Sequence, residues 1–173
     1  MITRRNFLQS MIVLAASGYP KNILALENKE RALNLHNIHT GEKLAVDYYS
    51  SGAYDRNALN EINRIMRCHF NNELKPIDVS VLDLLCDIKD SIGKNRELLI
   101  ISGYRSHAYN DYLRKSGRDV VSNSLHLTGR AIDFRIPGFD ISKLAVIAKS
   151  FSAGGVGKYQ AFIHIDNGRV RYW

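Results

Sequence analysis

Two short stretches carry residue types that do chemistry: SLHLTGRAIDF from Ser124 to Phe134, and FIHID from Phe162 to Asp166. His126, Asp133, His164 and Asp166 sit among apolar neighbours, at places where valine or leucine is the ordinary filling. Side chains two apart on a strand share a face. Ile163 and Ile165 therefore turn to a core, while Phe162, His164 and Asp166 turn away from it. In RAIDF, Ala131 and Asp133 share one face, and Ile132 and Phe134 share the other. Were the two strands neighbours, Asp133 and His164 would meet over one open face. His126 precedes its strand, and Gly129, with no side chain, lets the intervening loop fold back so that the imidazole converges on the same point. Two neutral imidazoles and one carboxylate are the donor set of a catalytic zinc ion, whose fourth position stays open. The spacing alone fits a second reading, in which the histidines are hydrogen-bonded core residues. His36, His39, His69 and His107 read in that second way, or as surface residues.

Periodicity outlines the elements that must position these groups. ALNLHNI and KLAVDYY alternate apolar and polar residues on either side of HTGE, which predicts a hairpin. From Asp55 a helix is expected, with Ala58, Leu59, Ile62, Ile65, Met66 and Phe70 recurring at three and four. A second helix follows Pro76, capped by Asp78 or Ser80, with Val79, Leu82, Leu85, Cys86 and Ile92 inward. ELLIISGY, Glu97 to Tyr104, reads as a buried strand ending in a turn. Ala108 to Arg114 predicts a short helix, GRDVVSNS a polar loop, and RAIDFRI a strand stopped by Pro137-Gly138. Asp140 caps ISKLAVIAKSF. GGVGKY reads as a glycine-rich turn without a phosphate-binding role, because a strand and not a helix follows it. AFIHID, Asn167-Gly168 and RVRYW read as a terminal hairpin, since Asn-Gly is the preferred pair for a tight turn with positive φ at both centres. No regular βαβ rhythm appears. The fold class is therefore α+β, a largely antiparallel sheet with flanking helices.

A length of 173 residues, 45% of them apolar and 24% charged, allows one domain with one core. Lys plus Arg exceed Asp plus Glu by 24 to 17, but Arg4, Arg5 and Lys21 lie in the first 25 residues, which hold no acid; the rest carries 21 against 17, or +4. That mild excess, with no dense Lys/Arg stripe and no basic-aromatic interleaving, excludes a nucleic-acid surface. The start, ITRRNFLQSMIVLAASG, has a basic n-region and a short apolar h-region from Met11 to Ala16. It is too short for about 30 Å of hydrocarbon, which needs roughly 20 apolar residues. TRRNFL resembles the twin-arginine export signal, which implies a bacterial, periplasmic chain. Ile23 is a poor minus-three residue for cleavage after Ala25, so the segment is either removed or kept as an anchor, the one membrane contact expected. Residues 1–25 are thus read as signal, 26–31 as linker and 32–173 as the domain, a monomer. Cys68 and Cys86 match no metal-knuckle spacing and read as small buried apolar residues on helices.

SGYRS at 102–106, S-x-H-x-x-G-x-A-x-D from Ser124 to Asp133, and FIHID together resemble a family of zinc metallopeptidases. That family groups D-Ala-D-Ala carboxypeptidases and dipeptidases, lysostaphin-type enzymes and the Hedgehog amino-terminal domain. More narrowly, NIHTGEKL at 37–44, GGVGKY at 154–159 and the terminal HIDNGRVRYW resemble its YcbK-like branch, the murein endopeptidase K group of Gram-negative bacteria. The match keeps the same order from about Leu33 to Trp173.

The resemblance implies a Hedgehog/DD-peptidase-like fold with Zn2+ held by His126, Asp133 and His164. It also implies hydrolysis of peptide cross-links in peptidoglycan, preferring the bond between two meso-diaminopimelic acid residues, with D-alanyl cross-links as a second target. Arg105 is the candidate to steady a developing oxyanion or a substrate carboxylate through its planar fork. Tyr104 and Ser124 are candidates to line the substrate groove, against plain packing and capping. Many relatives carry a glutamate three places before the last zinc histidine, or a histidine two before it; here Ala161 and Phe162 stand there. Asp166 remains as the acidic residue of that strand face, a candidate to accept a proton from the zinc-bound water or pass it to the leaving amine, and it fits equally a carboxylate that orients a zinc histidine or the first residue of the turn. The missing glutamate keeps open a second function, a zinc-containing wall- or partner-binding module that does not cleave.

Overall fold

The computed structural model describes residues 30–118 and 120–173. The twin-arginine-type segment 1–25 lies outside them, as does most of the expected linker. The first strand begins at Arg31, where that linker was expected to end.

Eight strands form one sheet: β1 Arg31–Asn37, β2 Lys43–Ser50, β3 Ala53–Tyr54, β4 Glu97–Ser102, β5 Ala131–Arg135, β6 Gly155–Lys158, β7 Ile163–Asp166 and β8 Arg171–Tyr172. The helices are α1 Arg56–Ile65, α2 Val79–Ile92, α3 His107–Lys115 and α4 Ile141–Ser150, with a 3-10 turn at Leu125–Thr128. The spatial order is β3-β2-β1-β4-β5-β7-β6-β8. Only β1–β4 and β6–β8 run parallel among the paired strands, so the α+β, largely antiparallel expectation stands.

The expected β1–β2 hairpin forms across HTGE, with Gly41 at φ +73°. Asp78, not Ser80, caps α2 by accepting from the Ser80 backbone N–H, and Asp140 caps α4 through Lys143 N–H. On one face of the sheet, Ile132, Phe134, Ile163 and Ile165 are fully buried in the core that also takes Leu82, Leu85 and Leu144 from α2 and α4. Burying each such side chain stabilises the fold by about 1.5–3 kcal/mol. These anchors set the register, because a slip of one residue would invert both faces. Their alternates, Asp133 and His164, are consequently held on the opposite face. Cys68 and Cys86 are both buried and free, as expected, but only Cys86 lies on a helix; Cys68 falls in the loop after α1, which ends at Ile65.

Three further sequence expectations are corrected. α1 ends at Ile65, and Phe70 lies beyond it, 49% exposed. GGVGKY is not merely a turn, since Gly155–Lys158 is strand β6, which pairs with both β7 and β8. The terminal hairpin does not form: β7 pairs antiparallel with β6, and β8 pairs parallel with β6. The physical reason is that neither Asn167 nor Gly168 takes the positive φ that a two-residue Asn-Gly hairpin turn needs. Asn167 is bound elsewhere, its Oδ1 accepting from Arg130 Nε at 2.8 Å and its Nδ2 donating to Ser80 Oγ at 2.7 Å.

Gly129 makes the fold-back of His126 feasible for two reasons. Its φ is +69°, and a Cβ there would lie 2.2 Å from the carbonyl oxygen of Pro76. Gly129→Ala is therefore expected to destabilise the domain by about 2–4 kcal/mol, combining left-handed strain with a backbone clash. A thermal melt of the variant measures this; an unchanged midpoint would show that the loop has another route.

Candidate metal centre

β5 and β7 are neighbours in the register Asp133↔His164, so the two side chains stand directly opposite on the face away from the core. His126 arrives from the 3-10 turn, whose amino end Ser124 caps by accepting from the His126 backbone N–H. All three are nearly sealed, at 2%, 6% and 8% exposure.

The donor atoms converge. His126 Nε2 is 3.2 Å from Asp133 Oδ1 and 3.2 Å from His164 Nδ1, and His164 Nδ1 is 2.8 Å from Asp133 Oδ1. Hydrogen bonds on the far side decide the tautomers. His126 Nδ1 lies 2.8 Å from the Gly103 carbonyl, which only accepts, so that nitrogen carries the proton and Nε2 presents a lone pair. His164 Nε2 lies 3.0 Å from Asp166 Oδ2, so it donates there and Nδ1 is the free side. With both imidazoles neutral, three lone pairs aim at one point with no donor among them.

Two ligands at about 2.0–2.1 Å from a tetrahedral ion stand about 3.3 Å apart. The observed spacings are close to that figure, so the donor set fits a small divalent cation. It is the one such His/Cys/Asp/Glu group among the described residues.

Electrostatics agree with a site that fits a cation. Burial works to raise the Asp133 carboxyl, but the His126 and His164 imidazoles beside it prevail and hold it below the ordinary carboxylate range. Burial lowers His126, against the pull of Asp133. For His164, burial is outweighed by its hydrogen bonds to Asp133 and Asp166, so its affinity for a proton is raised. A proton on His164 therefore occupies the place a metal ion would claim.

Asp166 stands behind His164, fully buried. Its Oδ2 accepts from His164 Nε2 and from Arg171 at 2.7 Å; its Oδ1 accepts from Gly168 N at 2.8 Å, Arg171 at 3.0 Å and Gly155 N at 3.2 Å. These donors outweigh burial and hold its carboxyl low. The GGVG glycines now have a purpose. A Cβ on Gly155 would lie 2.3 Å from Asp166 Oδ2, and one on Gly157 would lie 2.5 Å from the Trp173 ring. Gly157 pairs with His164, so its bare backbone admits Trp173 beside that histidine, ring centroids 5.4 Å apart.

The site forms the floor of a groove of about 1100 Å³. Arg105 and Ser124 line it. Arg105 is 9% exposed, sets one guanidinium nitrogen 3.6 Å from Asp133 Oδ2, and leaves Nε without a partner among the described residues. Tyr104 is not among the lining residues: it packs in the core, and its hydroxyl donates to Glu73 at 3.3 Å. The sequence reading missed His39, His69, Tyr109 and Trp173 as groove residues. His39 and His69 stack with centroids 3.9 Å apart, bringing the β1–β2 turn and the post-α1 loop together, and no local spacing signals that contact.

A family profile described as peptidoglycan L,D-endopeptidase MepK matches residues 25–173. The chain belongs to this family. It is 37% identical to peptidoglycan L,D-endopeptidase MepK of Escherichia coli strain K12 over 147 residues, covering 84% of this chain and 81% of the relative. It is 36% identical over 167 residues to the Haemophilus influenzae protein named "Probable peptidoglycan L,D-endopeptidase MepK", covering 94% and 90%. No solved structure matches the chain. Among the described residues, no helix of this family member is long and apolar enough to cross a membrane.

Proposed function

We propose that this chain is an exported, zinc-dependent peptidoglycan endopeptidase of the periplasm. Its target is the peptide cross-link, preferentially the bond between two meso-diaminopimelic acid residues, with the D-alanyl cross-link second. The observation that carries the reading is the convergence of His126 Nε2, Asp133 Oδ1 and His164 Nδ1 on one point at the floor of an open groove. The names of the relatives support the substrate class. TRRNFL supports export by the twin-arginine route.

His126, Asp133 and His164 would hold the zinc. When bound, Zn2+ supplies Lewis acidity, polarising a peptide carbonyl and lowering the pKa of water toward about 7. The chain's own residues do the rest. The Gly103 carbonyl and Asp166 fix the two imidazole tautomers. Asp166, with both oxygens occupied by donors, acts through His164 as a positioning residue. Arg105 keeps a buried, partly unpaired fork at the floor, placed to receive negative charge that develops on the substrate. Ser124 holds the turn that carries His126. Arg118 and Arg169 also line the groove, where Asp133 is the sole acid among the described lining residues, an electrostatic balance suited to carboxylate-rich stem peptides.

The test is incubation of the mature protein with cross-linked muropeptides, with and without a chelator. Chelator-sensitive release of monomers is expected. Unchanged muropeptides with retained binding to sacculi would instead support a non-cleaving wall-binding module. Arg105→Lys keeps the charge and loses the fork, so kcat is expected to fall about 10²–10³-fold with KM little changed. An equal rise in KM with constant kcat would make Arg105 a ground-state binding residue.

A further inference from the structure

Aromatic rings form an unbroken series from the groove to the open surface. His39 stacks on His69 with centroids 3.9 Å apart; His69 meets Tyr109 edge-on at 4.8 Å; Tyr109 stacks on Phe70 at 5.1 Å, and Phe70 on Tyr112 at 5.3 Å. His39, His69 and Tyr109 line the groove. Phe70 and Tyr112 lie outside it and are 49% and 54% exposed. The planes of Phe70, Tyr109 and Tyr112 differ by only 16–26°.

The outer rings are held in place. The loop that carries Phe70 is closed by Cys68 N–H donating to the Glu73 carbonyl at 3.0 Å and Asn72 N–H donating to the Cys68 carbonyl at 2.8 Å, with Asn72 in the left-handed region at φ +60°. Tyr112 rides on α3, three residues after Tyr109. Exposed aromatic surface of this extent and order marks a contact site. Its neighbours in the chain are polar: Asn71 and Asn72 follow Phe70, Asp111 precedes Tyr112, and all three are exposed.

A flat π face beside amide and carboxylate groups has the chemistry of a pyranose ring reversed. A sugar offers a face of C–H bonds, slightly positive against the negative aromatic face, and a perimeter of hydroxyl and acetamido groups for hydrogen bonding. Stem peptides hang from a strand of N-acetylated sugars. A groove that takes the peptide therefore lies beside that strand, and the shelf is continuous with the groove through Tyr109. We propose that Phe70 and Tyr112 dock an N-acetylhexosamine ring of the glycan strand that carries the substrate peptide. The inference rests on the peptidase reading for its choice of sugar.

The experiment compares two substrates cut at the same bond, one a cross-linked peptide still attached to a glycan oligomer and the other its sugar-free counterpart. For the Phe70→Ala/Tyr112→Ala double variant, KM on the glycan-linked substrate is expected to rise about tenfold, equivalent to ~1.4 kcal/mol, with no change on the sugar-free one. Phe70→Trp/Tyr112→Trp is expected to restore the lower KM. A second readout needs neither metal nor turnover: a β-1,4-linked N-acetylglucosamine tetramer is expected to shift NMR signals of Phe70 and Tyr112 in the parent chain and to bind far more weakly to the alanine variant. Equal losses on both substrates would mean a structural role, and equal activities no role; either overturns the shelf. So does a parent chain indifferent to the tetramer, or concentration-dependent self-association abolished by the double variant, which would put a second copy there. Tetramer binding by a parent that hydrolyses neither substrate would support the shelf and overturn only the peptidase reading.

Discussion

Zinc titrated into the His164→Ala or Asp133→Ala variant is expected to bind at least about 10³-fold more weakly than to the parent chain, and muropeptide hydrolysis is expected to fall in parallel. The scale follows from the geometry. Loss of an outer carboxylate partner alone costs 10–100-fold in metal affinity, and each of these residues supplies one of only three protein donors. Removing His164 also leaves Asp133 and Asp166 as buried acids without the imidazole that bonds both. Proton competition adds a pH signature. His164 is raised above its ordinary value of about 6.5, so a proton must leave it before its Nδ1 can serve a cation. Apparent zinc affinity in the parent should therefore climb as pH rises through and above 6.5, with proton release detectable by calorimetry in buffers of different ionisation enthalpy. A variant that keeps stoichiometric zinc and full turnover would remove the metal site from the mechanism.

Asp166→Asn is expected to weaken zinc binding about 10–100-fold and to lower stability by about 2–3 kcal/mol. The carboxylate accepts from His164, Arg171, Gly155 and Gly168. An asparagine of the same shape must turn an NH2 toward some of those donors. The stability figure stands below the usual cost of breaking a buried pair because Arg171 is 35% exposed and water can recover part of the loss. Saturating zinc separates two roles for this residue. If Asp166 acts by orienting His164, excess metal restores most of the turnover; a turnover still depressed at saturation would make it a direct proton carrier. Its depressed pKa also carries a sign: the stabilisation is fully present above the unfolded carboxylate value of about 3.9 and is lost as pH falls from there toward the folded value. Acid unfolding curves of parent and variant should converge at low pH.

The candidate metal-binding residues were legible because strand alternation is local. FIHID and RAIDF separate isoleucine and phenylalanine anchors from polar partners within five residues, and β7 and β5 obey that division. The helix caps Asp78 and Asp140 were legible for the same reason, since a cap satisfies backbone donors within two or three residues of itself. Gly129 was read correctly as the place where the chain turns back, although its second role, making room for the Pro76 carbonyl, depends on a segment more than fifty residues away.

The misreadings have the opposite character. Asn167-Gly168 has the composition of a hairpin turn, but Arg130 and Ser80 compete for the asparagine side chain, and neither is near it in sequence. Tyr104 follows a strand that ends at the groove, yet its ring packs into the core. His39 and His69 read as core or surface histidines, and only the pairing of β1 with β4 and the packing of the post-α1 loop bring them to the groove wall.

By itself, then, the sequence determined which residues share a face, which positions cap and turn, and that two imidazoles and a carboxylate were available to a cation, because each of these depends on bonds and sterics a few residues long. Tertiary structure alone decided that β5 lies beside β7 in the Asp133↔His164 register, that Asp166 faces the back of His164, and that Trp173 reaches over Gly157. Those outcomes depend on strand neighbours chosen by burial of one common core, a condition on the whole chain that no short window contains.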